Sequence, residues 1–232
     1  VYVPQRQGSL PLEMLGGARR AGVLPYLLKT EPQALLQEVA AGHPVVVLQN
    51  LRWDWLPLWH YAVVVGYDQT AGTVVLRSGD EKRLLMSMAD FESSWAKANR
   101  WAFVALPPDQ LPATASAAEF VEAAITLERV APSQAVRAYQ VALQAWPDNL
   151  EARLALGNRY YKQGNLQAAQ VQYEQVTMDH PNAADAWNNL AQVLYETRQL
   201  GQAKVAIAKA LALGGLRAER YKATQIAIDK SP

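Results

Sequence analysis

The sequence predicts two folded parts of different class, an α+β domain followed by an all-α repeat domain. Three observations carry that expectation. Residues 1–106 mix short apolar runs of strand length with helical patterns and turn signals. The stretch 107–114 holds Pro107-Pro108 and Leu111-Pro112, and consecutive prolines continue neither a helix nor a ladder. From 115 to 232 the pattern is helical, rich in alanine, and recurs with a period of 34 residues.

Composition agrees with two packed domains. Of 232 residues, 50% are hydrophobic and 19% charged, which favours a buried core over disorder. The formal net charge is +1, from 22 basic and 21 acidic residues, and no basic stripe stands ready to neutralise phosphates. Nucleic acid is therefore not an expected partner. No apolar run reaches the roughly 18 residues of a membrane span, so none is predicted. Val1 is not preceded by the basic start and apolar core of a signal peptide. There is no cysteine, which excludes disulfides and thiolate metal sites within these residues.

In order, Ser9 is read as the cap of a first helix, with Pro11 in its first turn and Glu13 nearby. The helix runs through Leu12, Met14, Leu15, Ala18 and Arg19 and stops near Gly22. Val23–Leu28 is a short strand. Pro32 opens a second helix with Leu35, Leu36 and Val39 on one face, ending at Gly42. The unbroken run Val45-Val46-Val47-Leu48 predicts a strand buried on both faces. Strands follow at His60–Tyr67, Thr73–Arg77 and Lys82–Met86, the first pair joined by a turn over residues 68–72. Ser87 caps a short helix holding Phe91 and Trp95, and Trp101–Leu106 closes the sheet.

In the second part, a shift of 34 places Leu156-Gly157 on Leu190-Ala191, Tyr160 on Leu194, Ala169 on Ala203 and Tyr173 on Ile207. Ala135, Tyr139, Ala142 and Pro147 precede Ala169, Tyr173, Val176 and Pro181 by the same interval. This resembles the tetratricopeptide repeat, about three copies with a capping helix over Leu216–Ile228. Small residues at 157, 169, 191 and 203 let paired helices approach, and Tyr160 and Tyr173 fill the space between them. Arg217, Glu219, Arg220 and Lys222 are placed outward on the capping helix. A generic alanine-rich bundle would not keep this register.

The first part is similar to the bacteriocin-processing (double-glycine leader) cysteine peptidases, a papain-like family. The likeness rests on Gly42-His43-Pro44-Val45-Val46-Val47-Leu48 and on Trp59-His60-Tyr61-Ala62-Val63-Val64-Val65-Gly66-Tyr67-Asp68. It implies an antiparallel sheet with helices and a cysteine on a leading helix, preceded by a glutamine. Neither is present. Val1-Tyr2-Val3-Pro4, Gly8-Ser9-Leu10 and Met14-Leu15 match the family after that helix, so the chain is read as a partial domain lacking its first helix. A homologue that had merely lost activity would keep the helix and replace the cysteine.

The resemblance makes His60 the general base. A thiol of pKa about 8.5 is mostly protonated at neutral pH, and a neighbouring imidazole lowers that value by pairing with the thiolate. The imidazole needs a partner to fix its tautomer. The family's aspartate aligns with Ser78, a departure; Ser78, Asp80 and Asn50 are the candidates for that role. A site working as a dyad, and a site that does not work, stay open. A histidine at a strand start is also a common structural polar residue. Without a cysteine this chain is expected to be inert, and the uncovered core of a truncated domain would favour self-association.

Trp53, Trp55 and Trp59 crowd the loop before His60. They either wall a peptide-binding cleft or plug the end of the sheet. His43 is placed in a solvated turn and His180 at a repeat boundary, and three histidines so scattered make no metal site. No cofactor is called for. The inner-helix positions Leu154, Asn158, Tyr161, Asn188, Asn189, Gln192 and Tyr195 line the concave face that the repeat resemblance implies, a face for a protein or peptide; the alternative is a spacer that contacts only its own domain. No lysine stands at the inner positions. The leading expectation is a peptidase-type domain coupled to protein-binding repeats, and the rival is a non-enzymatic adaptor. Likeness to exported bacterial proteins implies an extracytoplasmic setting.

Overall fold

The structure, a computed structural model, describes residues 9–230. The expectations for Val1–Pro4 and Gly8 lie outside that range. The first part is α+β and the second all-α, and the chain divides into two compact units after Ala135.

The first unit contains α1 (Pro11–Arg20), β1 (Leu24–Leu27), α2 (Pro32–Ala40), β2 (Val45–Asn50), β3 (Trp59–Asp68), β4 (Thr73–Ser78), β5 (Glu81–Ser87), α3 (Met88–Ala96), β6 (Ala102–Leu106) and α4 (Ala117–Glu128). The six strands form one antiparallel sheet in the order β1-β6-β2-β3-β4-β5. The last strand does not close the sheet at an edge; it inserts between β1 and β2. The cap of α1 is Leu10, not Ser9: the Leu10 N–H donates to the Glu13 carboxylate at 2.7 Å. Ser87 caps α3 as expected, its hydroxyl accepting from the Asp90 N–H at 3.0 Å. Asp68 Oδ1 accepts from Thr70 and Ala71 N–H, at 2.9 Å each, and ties the turn between β3 and β4.

The expectation for β2 needs correction. Val45 and Val47 are fully buried, but Val46 and Leu48 are half-buried, so burial alternates along the strand. One face of the sheet, with Val45, Val47, Ala62, Val64, Val74 and Leu76, is sealed. Helices α2 and α3 pack against these strands. The other face, with Val46, Leu48, Tyr61, Val63 and Val65, is half-open. A period of two is what an antiparallel sheet with one sealed face imposes.

Residues 107–116 are bound to this unit by two polar clamps. Glu38 is completely buried, and a buried carboxylate must be matched by donors. It accepts from His43 Nδ1 at 2.7 Å, Ala113 N–H at 3.1 Å, Thr114 N–H at 2.7 Å and the Thr114 hydroxyl at 2.6 Å. His43 is therefore not a solvated turn residue; only 8% of it is exposed, and its Nε2 meets the Gln110 amide at 3.1 Å. The Tyr26 hydroxyl makes the second clamp. It donates to Glu119 at 2.7 Å and accepts from Ser116 N–H at 3.2 Å. Burial first, then Glu119, pushes the Tyr26 phenol up to about 12.

The second unit stacks most of α5 (Pro132–Ala145), then α6 (Leu150–Lys162), α7 (Leu166–Asp179), α8 (Ala184–Glu196), α9 (Leu200–Leu213) and α10 (Ala218–Asp229). Asn149 and Asn165 cap α6 and α7 through their side-chain oxygens. Ala169, Tyr173, Leu190, Ala191, Leu194, Ala203 and Ile207 form one core, closed by Tyr221 and Ile228 of α10. The close approach expected at Gly157 is real. A Cβ there would lie 2.7 Å from Tyr173 Cε1 and 3.2 Å from Gln172 Cβ. The turn after α6 uses Gly164 at φ +74°, and the turn after α8 puts Arg198 at φ +63° at the equivalent position. The backbone of the repeat is thus kept even where the residue pays a steric penalty for it.

Replacing Glu38 by alanine leaves four donors without their acceptor, and is expected to cost the first unit about 3 kcal/mol. Denaturant unfolding measures the loss. Hydrogen exchange should show the Ala113 and Thr114 amides losing protection first; unchanged exchange there would mean the clamp holds nothing.

Candidate functional site

His60 stands second in β3, opposite Gln49 of β2. Its Nε2 lies 2.7 Å from Ser78 Oγ at the end of β4. Both residues are half-buried. Among the described residues its Nδ1 makes no hydrogen bond. Gln49, 1% exposed, donates to Ser94 Oγ of α3 at 2.8 Å and so backs this end of the sheet. Of the three candidates to orient His60, only Ser78 touches it.

Asn50 is spent elsewhere. It is 2% exposed, and its Oδ1 accepts from Arg52 N–H at 3.1 Å and Leu58 N–H at 3.0 Å, clasping the two ends of the tryptophan loop. Being one residue beyond Gln49, it belongs to the opposite face from His60 by strand alternation. Asp80 sits exposed in the turn after Gly79 and makes no hydrogen bond to His60.

The loop over residues 51–59 is exposed throughout. Trp53 and Trp55, 61% and 78% exposed, stack with ring centroids 5.8 Å apart. They do not plug the sheet. Trp59 pairs with Asn50, on the face away from His60, where it walls an apolar cavity of about 380 Å³ with Leu28, Leu48 and Trp101. The three tryptophans therefore do not line one cleft around the imidazole.

In the second unit, Asn158, Tyr161, Asn188 and Gln192 do come together, around a cavity of about 160 Å³. Tyr195 is not among its lining. Tyr173, Asn189, Arg220 and Thr224 complete the wall; Arg220 is exposed, in keeping with its outward placement, and also borders the cavity. Its neighbour Arg217 pairs with Asp185 of α8 at 2.7 Å, and Tyr221 donates to the same carboxylate at 2.8 Å, so both tie the start of α10 to α8. Tyr173 donates to Asn158 Oδ1 at 2.8 Å, which also accepts from Asn189 Nδ2 at 3.1 Å. Tyr161 donates to Glu196, and Gln192 donates to the same carboxylate at 2.7 Å. Burial raises both the Tyr161 and Tyr173 phenols. His180 Nε2 meets the Asp148 carbonyl at 2.7 Å, a bond between repeat boundaries.

The fold thus defines an α+β domain followed by a helical repeat domain, and the comparisons with known proteins agree for the second part. The family model of the tetratricopeptide repeat matches residues 126–188 and 160–225, so this region carries tetratricopeptide repeats. No curated protein matches the chain. Among solved structures, an O-GlcNAc transferase mutant from Thermobaculum terrenum is 24% identical over 51% of this chain and 24% of its own, with a TM-score of 0.44. A C39-like peptidase from Bacillus anthracis is 21% identical over 35% of this chain and 50% of its own, with a TM-score of 0.31. The chain therefore spans a quarter of the one and half of the other.

Burial, then the hydrogen bond to Asp185, pushes the Tyr221 phenol of α10 up to about 12. A folded value above the ordinary 10.0 favours the fold fully below pH 10, and the contribution is lost as the pH climbs from there toward 12. Unfolding followed against pH should show the second unit weakening across that window. Tyr221→Phe should flatten the decline, and an unchanged slope would remove Tyr221 as its cause.

Proposed function

We propose that this chain couples a papain-like, cysteine-peptidase-type domain to repeats that bind a protein or peptide partner. The observation that carries the first half is the 2.7 Å contact between His60 Nε2 and Ser78 Oγ. In this reading Nε2–H donates to the serine oxygen, which fixes the tautomer and leaves Nδ1 bare to take a proton from a thiol. Ser78 stands where the resembled family has aspartate. A neutral hydroxyl stabilises the imidazolium less than a carboxylate would, roughly by half on hydrogen-bond strength. The base is held, but weakly driven.

The 232 residues contain no cysteine, so peptide hydrolysis at this site needs a thiol from outside them. A second reading is an adaptor in which the domain recognises peptide without cutting it, and the neutral Ser78 hydroxyl in the aspartate's place favours it. Trp53 and Trp55, rigid and exposed, are suited to gripping apolar side chains under either reading. The repeats support protein binding in both. The polar lining at Asn158, Tyr161, Asn188 and Gln192 supplies carboxamide and phenol groups that pair with peptide backbone, each worth on the order of 1 kcal/mol.

The ¹⁵N shifts of the His60 ring test the base directly. The expected result is a neutral imidazole protonated on Nε2, with the preference falling toward an even mixture in Ser78→Ala. A ring protonated on Nδ1 would leave no acceptor for the thiol proton and would contradict the assignment. The chain by itself is expected to hydrolyse no peptide in either form.

A further inference from the structure

The cavity between α6, α8 and α10 is chemically lopsided. Arg220 is the one charged residue in its wall, and no carboxylate lies within ion-pair distance of it among the described residues. Its single hydrogen bond in the cavity is a long one, 3.4 Å from Nη2 to Asn189 Oδ1. Asn158 uses its oxygen twice, for Tyr173 and Asn189, and its Nδ2 donates to no described group. Asn188 shows the converse. It is 1% exposed, and its Oδ1 is buried without any donor, although its Nδ2 reaches Asn189 Oδ1 at 3.4 Å. A buried carbonyl oxygen left unpaired is destabilising.

Resting on the reading of this face as a protein-binding one, we infer that the cavity takes the carboxylate of an aspartate or glutamate side chain within a partner's peptide segment. The guanidinium and the free Asn158 Nδ2 supply donors to the carboxylate. An Arg–carboxylate bond is charge-assisted and about twice as strong as a neutral one. The neighbouring carboxylate, Glu196, is already occupied by Tyr161 and Gln192, and it is absent from the cavity wall. A single cation in about 160 Å³ matches one carboxylate. The apolar stems of Tyr161 and Tyr173 bound the space where the side-chain methylenes would lie.

The test is a side-chain amide NMR titration of the full chain with three blocked probes: N-acetyl-aspartate N-methylamide, its asparagine counterpart, and N-acetyl-alanine with a free carboxylate. The aspartate probe should shift the Asn158 and Asn188 resonances saturably, at least tenfold more tightly than either other probe. Arg220→Gln should lower that affinity by tenfold or more. Equal binding of the asparagine probe would overturn the acidic preference while leaving a peptide-binding face in place. Tighter binding of the alanine probe would assign the cavity to a chain terminus and likewise overturn it. If no probe shifts any residue of the concave face, both the inference and the binding reading beneath it fail.

Discussion

The repeat domain depends on a missing side chain. Gly157 lets an edge of the Tyr173 ring approach α6, where a Cβ would stand 2.7 Å from Cε1. From there the Tyr173 hydroxyl reaches the cavity wall and donates to the Asn158 carboxamide oxygen at 2.8 Å. Asn158 in turn holds Asn189 of the next repeat at 3.1 Å. One packing constraint therefore sets the helix spacing, buries an aromatic and orients the polar lining of the cavity. The core beneath is alanine-rich, so little else could replace that contact without changing the distance between helices.

The α+β domain is organised by alternation. One sealed sheet face forces successive residues of β3 to opposite sides, so Trp59 and His60 cannot serve a common cleft. His60 meets Ser78 and lies opposite Gln49, while Trp59 meets the apolar cavity. Asn50 controls the loop between them. Its two backbone bonds keep nine consecutive exposed residues in one shape, with Trp53 and Trp55 stacked at the far end. Behind the sheet, Glu38 converts a proline-rich stretch that reads as a spacer into a bound strap.

Much of this was legible in the residues. Apolar runs bounded by turn residues placed the strands, and the period of 34 placed the capping helix, within a residue or two. Ser78 was legible as a candidate because it aligns with the aspartate of the family that the first part resembles. What escaped were contacts between residues far apart in sequence. Nothing around Glu38 announces that its carboxylate collects Ala113 and Thr114, 75 and 76 residues further on. Arg220 is exposed as its outward placement predicts, but that it also borders a cavity depends on the docking of α10 against α8 through Asp185, which Arg217 and Tyr221 both bind. The unbroken run of β2 hid its alternation, since valine fits a half-open face as well as a sealed one.

Gly157→Ala puts the central constraint to a test of sign. In a helix interior alanine is favoured over glycine by about 1 kcal/mol, so propensity alone predicts a more stable domain. Overpacking against Tyr173 predicts the reverse, a cost of about 1–3 kcal/mol that outweighs the propensity gain. Denaturant unfolding of the chain, read by Tyr and Trp signals, should show the repeat unit losing stability. A repeat unit that gains stability on this substitution would contradict the claim that the Gly157–Tyr173 approach sets the domain's geometry.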